Sequence, residues 1–121
     1  MKIKTPISYS VTYRNACVLH MTFFWCLFGL TSASAVVVLR GPYLQVASDN
    51  AITIRWRTDT STDSHVLYGT TQGQLNSSVT DATSTTEHEV RVTGLQHDTQ
   101  YYYAIGSTTQ IHAGADADHF F

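Results

Sequence analysis

Two hydrophobic patterns divide the chain. From Ala16 to Leu30 the sequence is almost continuously apolar (ACVLHMTFFWCLFGL), whereas from Val36 onward apolar and polar residues alternate in short runs. In one run Ile52, Ile54 and Trp56 fall on one side and Thr53, Arg55 and Arg57 on the other, the two-residue repeat of a strand. In another, Val90 and Val92 face inward and Glu89 and Arg91 outward. Such runs recur at 43–46, 51–58, 64–68, 75–79, 87–93, 99–106 and 118–121. Asp49-Asn50, Gly69, Gly73 and Gly94 punctuate them as turns. The Thr/Ser-rich stretch 77–86 reads as an exposed loop around an edge strand, and Asn76-Ser77-Ser78 as a glycan acceptor only in a host that glycosylates. No helical period follows the leader. The pattern predicts an all-β domain, a seven-stranded immunoglobulin-like or fibronectin type III β-sandwich of two sheets.

Residues 1–35 read as a signal peptide preceding that domain. Lys2, Lys4 and Arg14 come before any acidic residue, and Ala33-Ser34-Ala35 ends the apolar stretch with small residues. Cleavage after Ala35 leaves 36–121 as one small domain. The competing reading is an uncleaved anchor, since Val36-Val37-Val38-Leu39 prolongs the apolar character; the Thr/Ser/Ala interruption leaves its core short of the ~20 residues a span needs. Bulky Phe24-Trp25 argue against lipid attachment at Cys26, and a start at Met21 would discard all three positive charges. A secreted product, periplasmic or extracellular, with no membrane association after cleavage is therefore expected.

Export changes what the cysteines mean. Cys17 and Cys26 both lie in the leader, so the mature domain has no disulfide although its compartment would permit one. Packing alone must hold it. Four arginines against nine carboxylates give the mature domain a net charge of −5, which offers no footprint for nucleic acid or an anionic membrane.

Candidate chemistry is sparse. Leu95-Gln96-His97-Asp98-Thr99-Gln100-Tyr101 reads as a tyrosine corner, in which the Tyr101 ring packs inward and its hydroxyl bonds a backbone group a few residues upstream. Tyr103 and Ile105 then point inward and Tyr102 and Ala104 outward, making Tyr102 the ring that could serve as a platform for a ligand such as a sugar. Of the mature histidines His65, His88, His97, His112 and His119, only His112 and His119, with Asp116 and Asp118, suggest a metal site. They lack i, i+4 spacing and a thiolate, and they fall in a Gly/Ala-rich hairpin before the last strand. A solvated hairpin is the plainer reading. No G-x-S-x-G elbow or glycine-rich phosphate cradle occurs. No catalytic, cofactor-binding or metal-binding residue is expected in this chain.

Trp56 matches the core tryptophan of fibronectin type III domains. RGPYLQ from Arg40, ITIRWRTD from Ile52, DSHVLYG from Asp63, TEHEVRVTGL from Thr86 and the corner segment together resemble the N-terminal domain of purple acid phosphatases, in that family's order and spacing. GADADHFF from Gly114 resembles the last strand before the linker to the catalytic domain. His97 departs from the family, standing where proline is usual. The resemblance implies a metal-dependent phosphomonoesterase as the whole protein, with a dinuclear centre of Fe with Fe, Zn or Mn. Its metal ligands belong to GDxG, GDxxY, GNH[DE] and GHxH motifs of the catalytic domain, none of which occurs here. The chain is expected to be the non-catalytic module, ending before the catalytic metallophosphoesterase domain that is its expected downstream partner, through truncation or an error in the gene model. The alternatives are a free-standing fibronectin type III adhesion or carbohydrate-associated module and, less simply, a small stand-alone hydrolase.

Overall fold

The computed structural model describes residues 34–121; residues 1–33 of the predicted leader, with both cysteines, lie outside them. Five antiparallel strands make up the fold: β1 (Val38–Ser48), β2 (Ala51–Gly69), β3 (Ser77–Thr93), β4 (Tyr102–Gly106) and β5 (Ile111–Gly114). Among the described residues there is no helix, and so none long and apolar enough to cross a membrane.

Strands predicted as separate prove continuous. The runs 51–58 and 64–68 join in the 19 residues of β2, and most of 75–79 joins 87–93 in the 17 residues of β3. The stretch expected to be a loop, 77–86, is strand because it pairs with β2, and its threonines suit an extended, half-solvated backbone. The two-layer arrangement survives because β2 changes partners along its length. Its first half pairs with β1 and with Glu87 to Thr93 of β3; its second half pairs with Ser77 to Asp81 of β3 and with β4. Register shifts between Arg57, Thr62 and Ser64 mark the bend where it passes from one layer to the other. Ile52, Ile54 and Trp56 from one half, Val66 from the other, Val90 and Val92 from β3, and Tyr103 and Ile105 from β4 form a single buried cluster, so the layers pack face to face as a β-sandwich.

The last strand also differs from expectation. It lies at Ile111–Gly114 rather than 118–121. Gly114 and Ala115, with φ of 97° and 65°, turn the chain outward, and Gly114 sits so close to the Tyr103 carbonyl that a Cβ would overlap it. The chain then returns to the same neighbour. The Tyr103 N–H donates to the His119 carbonyl at 3.0 Å, and Tyr101 and Phe121 exchange two backbone bonds of 2.9 Å. Phe121 is consequently tied down and stacked against Tyr101.

Alternation assigns most of the core correctly, but two short side chains on the other face are buried as well. Thr53 and Ala104, expected to face outward into solvent, are 5% and 1% exposed. Thr53 lies between Gln45 and Arg91, and Ala104 between Leu67 and Gly114, on flanking strands. A short residue in a middle strand is shaded by its neighbours whichever face it takes.

Trp56 is 1% exposed. Truncating so large a side chain leaves a cavity that two packed sheets cannot close, so Trp56→Ala should cost about 3–5 kcal/mol in urea denaturation. A loss below about 1 kcal/mol would place Trp56 outside the core.

Candidate functional site

The most organised polar cluster lies at the bend of β2. His88 projects from β3 into it, 2% exposed, with its ring stacked on Trp56 at a centroid distance of 4.7 Å and an interplanar angle of 5°. Its two nitrogens reach across the bend, Nε2 to the Thr58 hydroxyl at 2.9 Å and Nδ1 to the Ser64 hydroxyl at 2.8 Å. The Thr58 hydroxyl donates its proton to the Thr60 carbonyl at 2.8 Å. It must therefore accept from His88, which puts a proton on Nε2; in the neutral ring Nδ1 then accepts from Ser64. Burial holds the His88 pKa below the usual histidine value and nearby His112 adds to the effect, against the opposing charges of Glu87 and Asp63. The Ser64–His88 pair has the spacing of a nucleophile and its base, but both residues are buried and neither lines the cleft described below. It is a structural bond.

Asp63, one residue before Ser64, faces the opposite way and fastens the β4–β5 turn. It accepts the Thr108 hydroxyl proton at 2.6 Å and the Thr108 N–H at 3.3 Å, bonds that hold its carboxyl below the usual range. Asp59, on the other side of the bend, exchanges two 3.0 Å bonds with the backbone of Val37.

The tyrosine corner closes as predicted, with the hydroxyl as acceptor. The Gln96 N–H donates to the Tyr101 hydroxyl at 3.1 Å, while Tyr68 and Phe121 pack on the ring at centroid distances of 6.1 and 5.7 Å. A solvent-open cleft of about 310 Å³ lies beside it, lined by Asp49, Ile52, Leu95, His97, Tyr101 and Phe121 among others. Tyr102 is not the open platform that its outward position allowed, because Phe120 meets its ring edge-on at 6.4 Å.

The suggested metal ligands do not assemble. His112 lies on β5 rather than in the hairpin, and both its ring nitrogens are buried without a hydrogen-bond partner. Asp116 and His119 do meet, Oδ1 to Nδ1 at 2.7 Å, but the same oxygen also accepts the backbone N–H groups of Asp118 and His119, so the carboxylate caps its own turn. His119 packs its ring edge against Tyr103. His65 stands on β2, and exposed His97 contacts Asp98 at 3.3 Å. Among the described residues no three His, Cys, Asp or Glu side chains are placed to share a cation.

Residues 40–120 match the family described as purple acid phosphatase, N-terminal domain. The chain belongs to this family. No curated protein matches it at a significant level. The residues present do not fit the dinuclear centre that purple acid phosphatases carry in their catalytic domain, since Asp116 and His119 spend their polar atoms on each other and have no third partner.

The motif residues of this purple acid phosphatase N-terminal domain have identifiable jobs. Gly41 in RGPYLQ has φ of 85°, and a Cβ there would come within 2.8 Å of the Arg55 carbonyl, so glycine lets β1 approach β2. ITIRWRTD supplies Trp56, Thr58 and Asp59; DSHVLYG supplies Asp63, Ser64 and Val66; TEHEVRVTGL supplies His88. The three segments meet at one bend. Sequence reasoning missed His88, although the alternation that turned Val90 and Val92 inward extends back to it.

Tyr101→Phe should cost about 0.5–1 kcal/mol, because the Gln96 N–H loses its protein partner yet sits near water that can replace it. Tyr102→Phe, which removes a hydroxyl with no hydrogen-bond partner among the described residues, should be silent in the same chemical denaturation. Equal losses at both positions would contradict the corner.

Proposed function

We propose that this domain is a non-catalytic accessory module of an exported, metal-dependent phosphomonoesterase, and that it works by docking on the catalytic domain and orienting it. The observation that carries the reading is the family match over residues 40–120 together with motif residues such as Gly41, Trp56, Asp63, Ser64 and His88 that serve the β-sandwich itself. Export rests on the leader-like pattern of residues 1–35. The catalytic domain is a partner whose own residues would hold the two metals.

The surface supports docking through β1. Of the large apolar side chains left exposed, Val37, Leu39, Tyr43, Leu44 and Val46 belong to this strand or the residue just before it. Such a concentration on one edge strand is what a covered surface looks like when its cover is absent. Val46 is the sharpest case. It is 70% exposed and holds φ at 48°, a region costly for a β-branched side chain, so it gains neither burial nor relaxed backbone within this domain. A free-standing carbohydrate-binding module has less support, since Tyr102, its best candidate platform, packs against Phe120.

Purified chain, assayed with p-nitrophenyl phosphate and added iron, zinc or manganese, should show no turnover above buffer, because two-metal hydrolysis needs cations about 3.5–4 Å apart in a cage of fixed ligands. Steady metal-dependent turnover abolished by chelator would overturn the reading of this chain as non-catalytic.

A further inference from the structure

The bend of β2 holds more buried polar groups than its fold requires. Besides the fully bonded His88, the Trp56 Nε1, the Thr62 Oγ1 and both ring nitrogens of His112 are buried without a hydrogen-bond partner. Two histidines from different strands, β3 and β5, therefore share a region in which neither can easily carry a proton. We propose that His88 and His112 form an acid-sensitive latch across the two layers, closed when both rings are neutral and opened when they are protonated.

The geometry gives the reason. A protonated His88 would have two N–H donors, but its Nδ1 faces the Ser64 hydroxyl, which beside the neutral ring is itself the donor. That hydroxyl would have to turn away, and its proton would then lack an acceptor in a buried site. The face of Trp56 tolerates a cation, which softens this penalty without supplying the missing acceptor. His112 would become charged with no partner at either nitrogen.

The surrounding charges do not rescue either ring. Those that reach His88 are His112 from β5, Glu87 from its own strand and Asp63 from the bend; those that reach His112 are Asp63 and Asp59. Neither β1 nor β4 contributes a charge to either ring. Asp63 is committed to Thr108 and Asp59 to the Val37 backbone, so the two carboxylates are held in place rather than free to swing in. Burial dominates, and both rings bind protons less readily in the fold than in the unfolded chain.

The sign of the pH dependence follows. Both folded pKa values lie below the ordinary 6.5, so the unfolded state binds more protons as pH falls from that value. Stability is complete above it and is lost as pH drops toward the folded values. Asp63, Asp81 and Asp116 have carboxyls held below 3.8 and add their own loss only in stronger acid. Between those ranges the histidines act alone.

Long-range proton–nitrogen NMR of the imidazoles in the full 121-residue chain, combined with urea denaturation from about pH 7.5 to about pH 4.5, tests the latch. His88 should be the Nε2–H tautomer at neutral pH, and both His88 and His112 should still be mostly neutral at the ordinary histidine value of 6.5. The unfolding constant should rise at least about tenfold across the range, and His112→Gln should flatten that rise. If the variant does not fold, the wild-type spectra decide. Titration of His88 at or above the ordinary 6.5, or an unfolding constant unchanged across the range, would overturn the proposal.

Discussion

The stacking of His88 on Trp56, with hydrogen bonds from the same imidazole to Thr58 and Ser64, is the contact on which the rest of the sandwich depends. β2 serves both layers, so it must bend without exposing the backbone and side-chain groups that the bend frees. His88 fills the inside of that bend with a flat ring and bonds both limbs. The stack contributes about 0.5–1.5 kcal/mol beyond burial and each hydrogen bond about 0.5–1.5 kcal/mol, modest sums that matter in a domain without a disulfide. Their larger effect is on specificity. An apolar side chain of the same size would fill the space but leave the Ser64 hydroxyl donor and the Thr58 lone pair unmatched, and would no longer define where β2 crosses.

Around this bend the remaining fastenings are arranged at the two ends of the layers. Asp63 ties the bend to the β4–β5 turn, Asp59 ties it to the start of β1, and the tyrosine corner with Phe121 closes the other end of β4. On the outer face Arg55 meets Glu89 at 2.9 Å and Arg57 meets Glu87 at 3.1 Å, but these pairs are exposed on both sides and stabilise the fold by no more than about 1 kcal/mol each. The arrangement leaves β1 as the strand with most apolar surface facing out, which is why the proposed docking is assigned to it.

Much of this was legible in the sequence. Alternation around Trp56 and Val90 placed the inner faces, and Leu95 to Tyr101 announced the corner, because a period of two and a tightly spaced turn are local signals. What was not legible depended on pairing between distant residues. The bend looked like a gap between two strands because Thr60 and Ser61 carry no apolar alternation, yet the backbone stays extended through it. The stretch 77–86 looked like a loop for the same reason, and only its pairing with β2 makes it strand. The last strand was misplaced because Phe120 and Phe121 gave the stronger apolar signal than Ile111-His112-Ala113. Both segments in fact follow β4, one before and one after the outward turn at Gly114. As for the candidate site, the suggested ligands His112, Asp116, Asp118 and His119 were close in sequence but divide between the half-buried strand β5 and a self-capped turn, while His88 announced itself only through its inward register.

If the bend joins the layers into one cooperative unit, native-state hydrogen exchange measures it directly. The slowest amides on both sides of the bend, around Ile54 to Trp56 in one layer and Val66 in the other, should exchange with the same free energy, equal to that of global unfolding. A second half of β2 that opens at clearly lower free energy than the first would show that the layers fold separately, and that His88 does not hold them together.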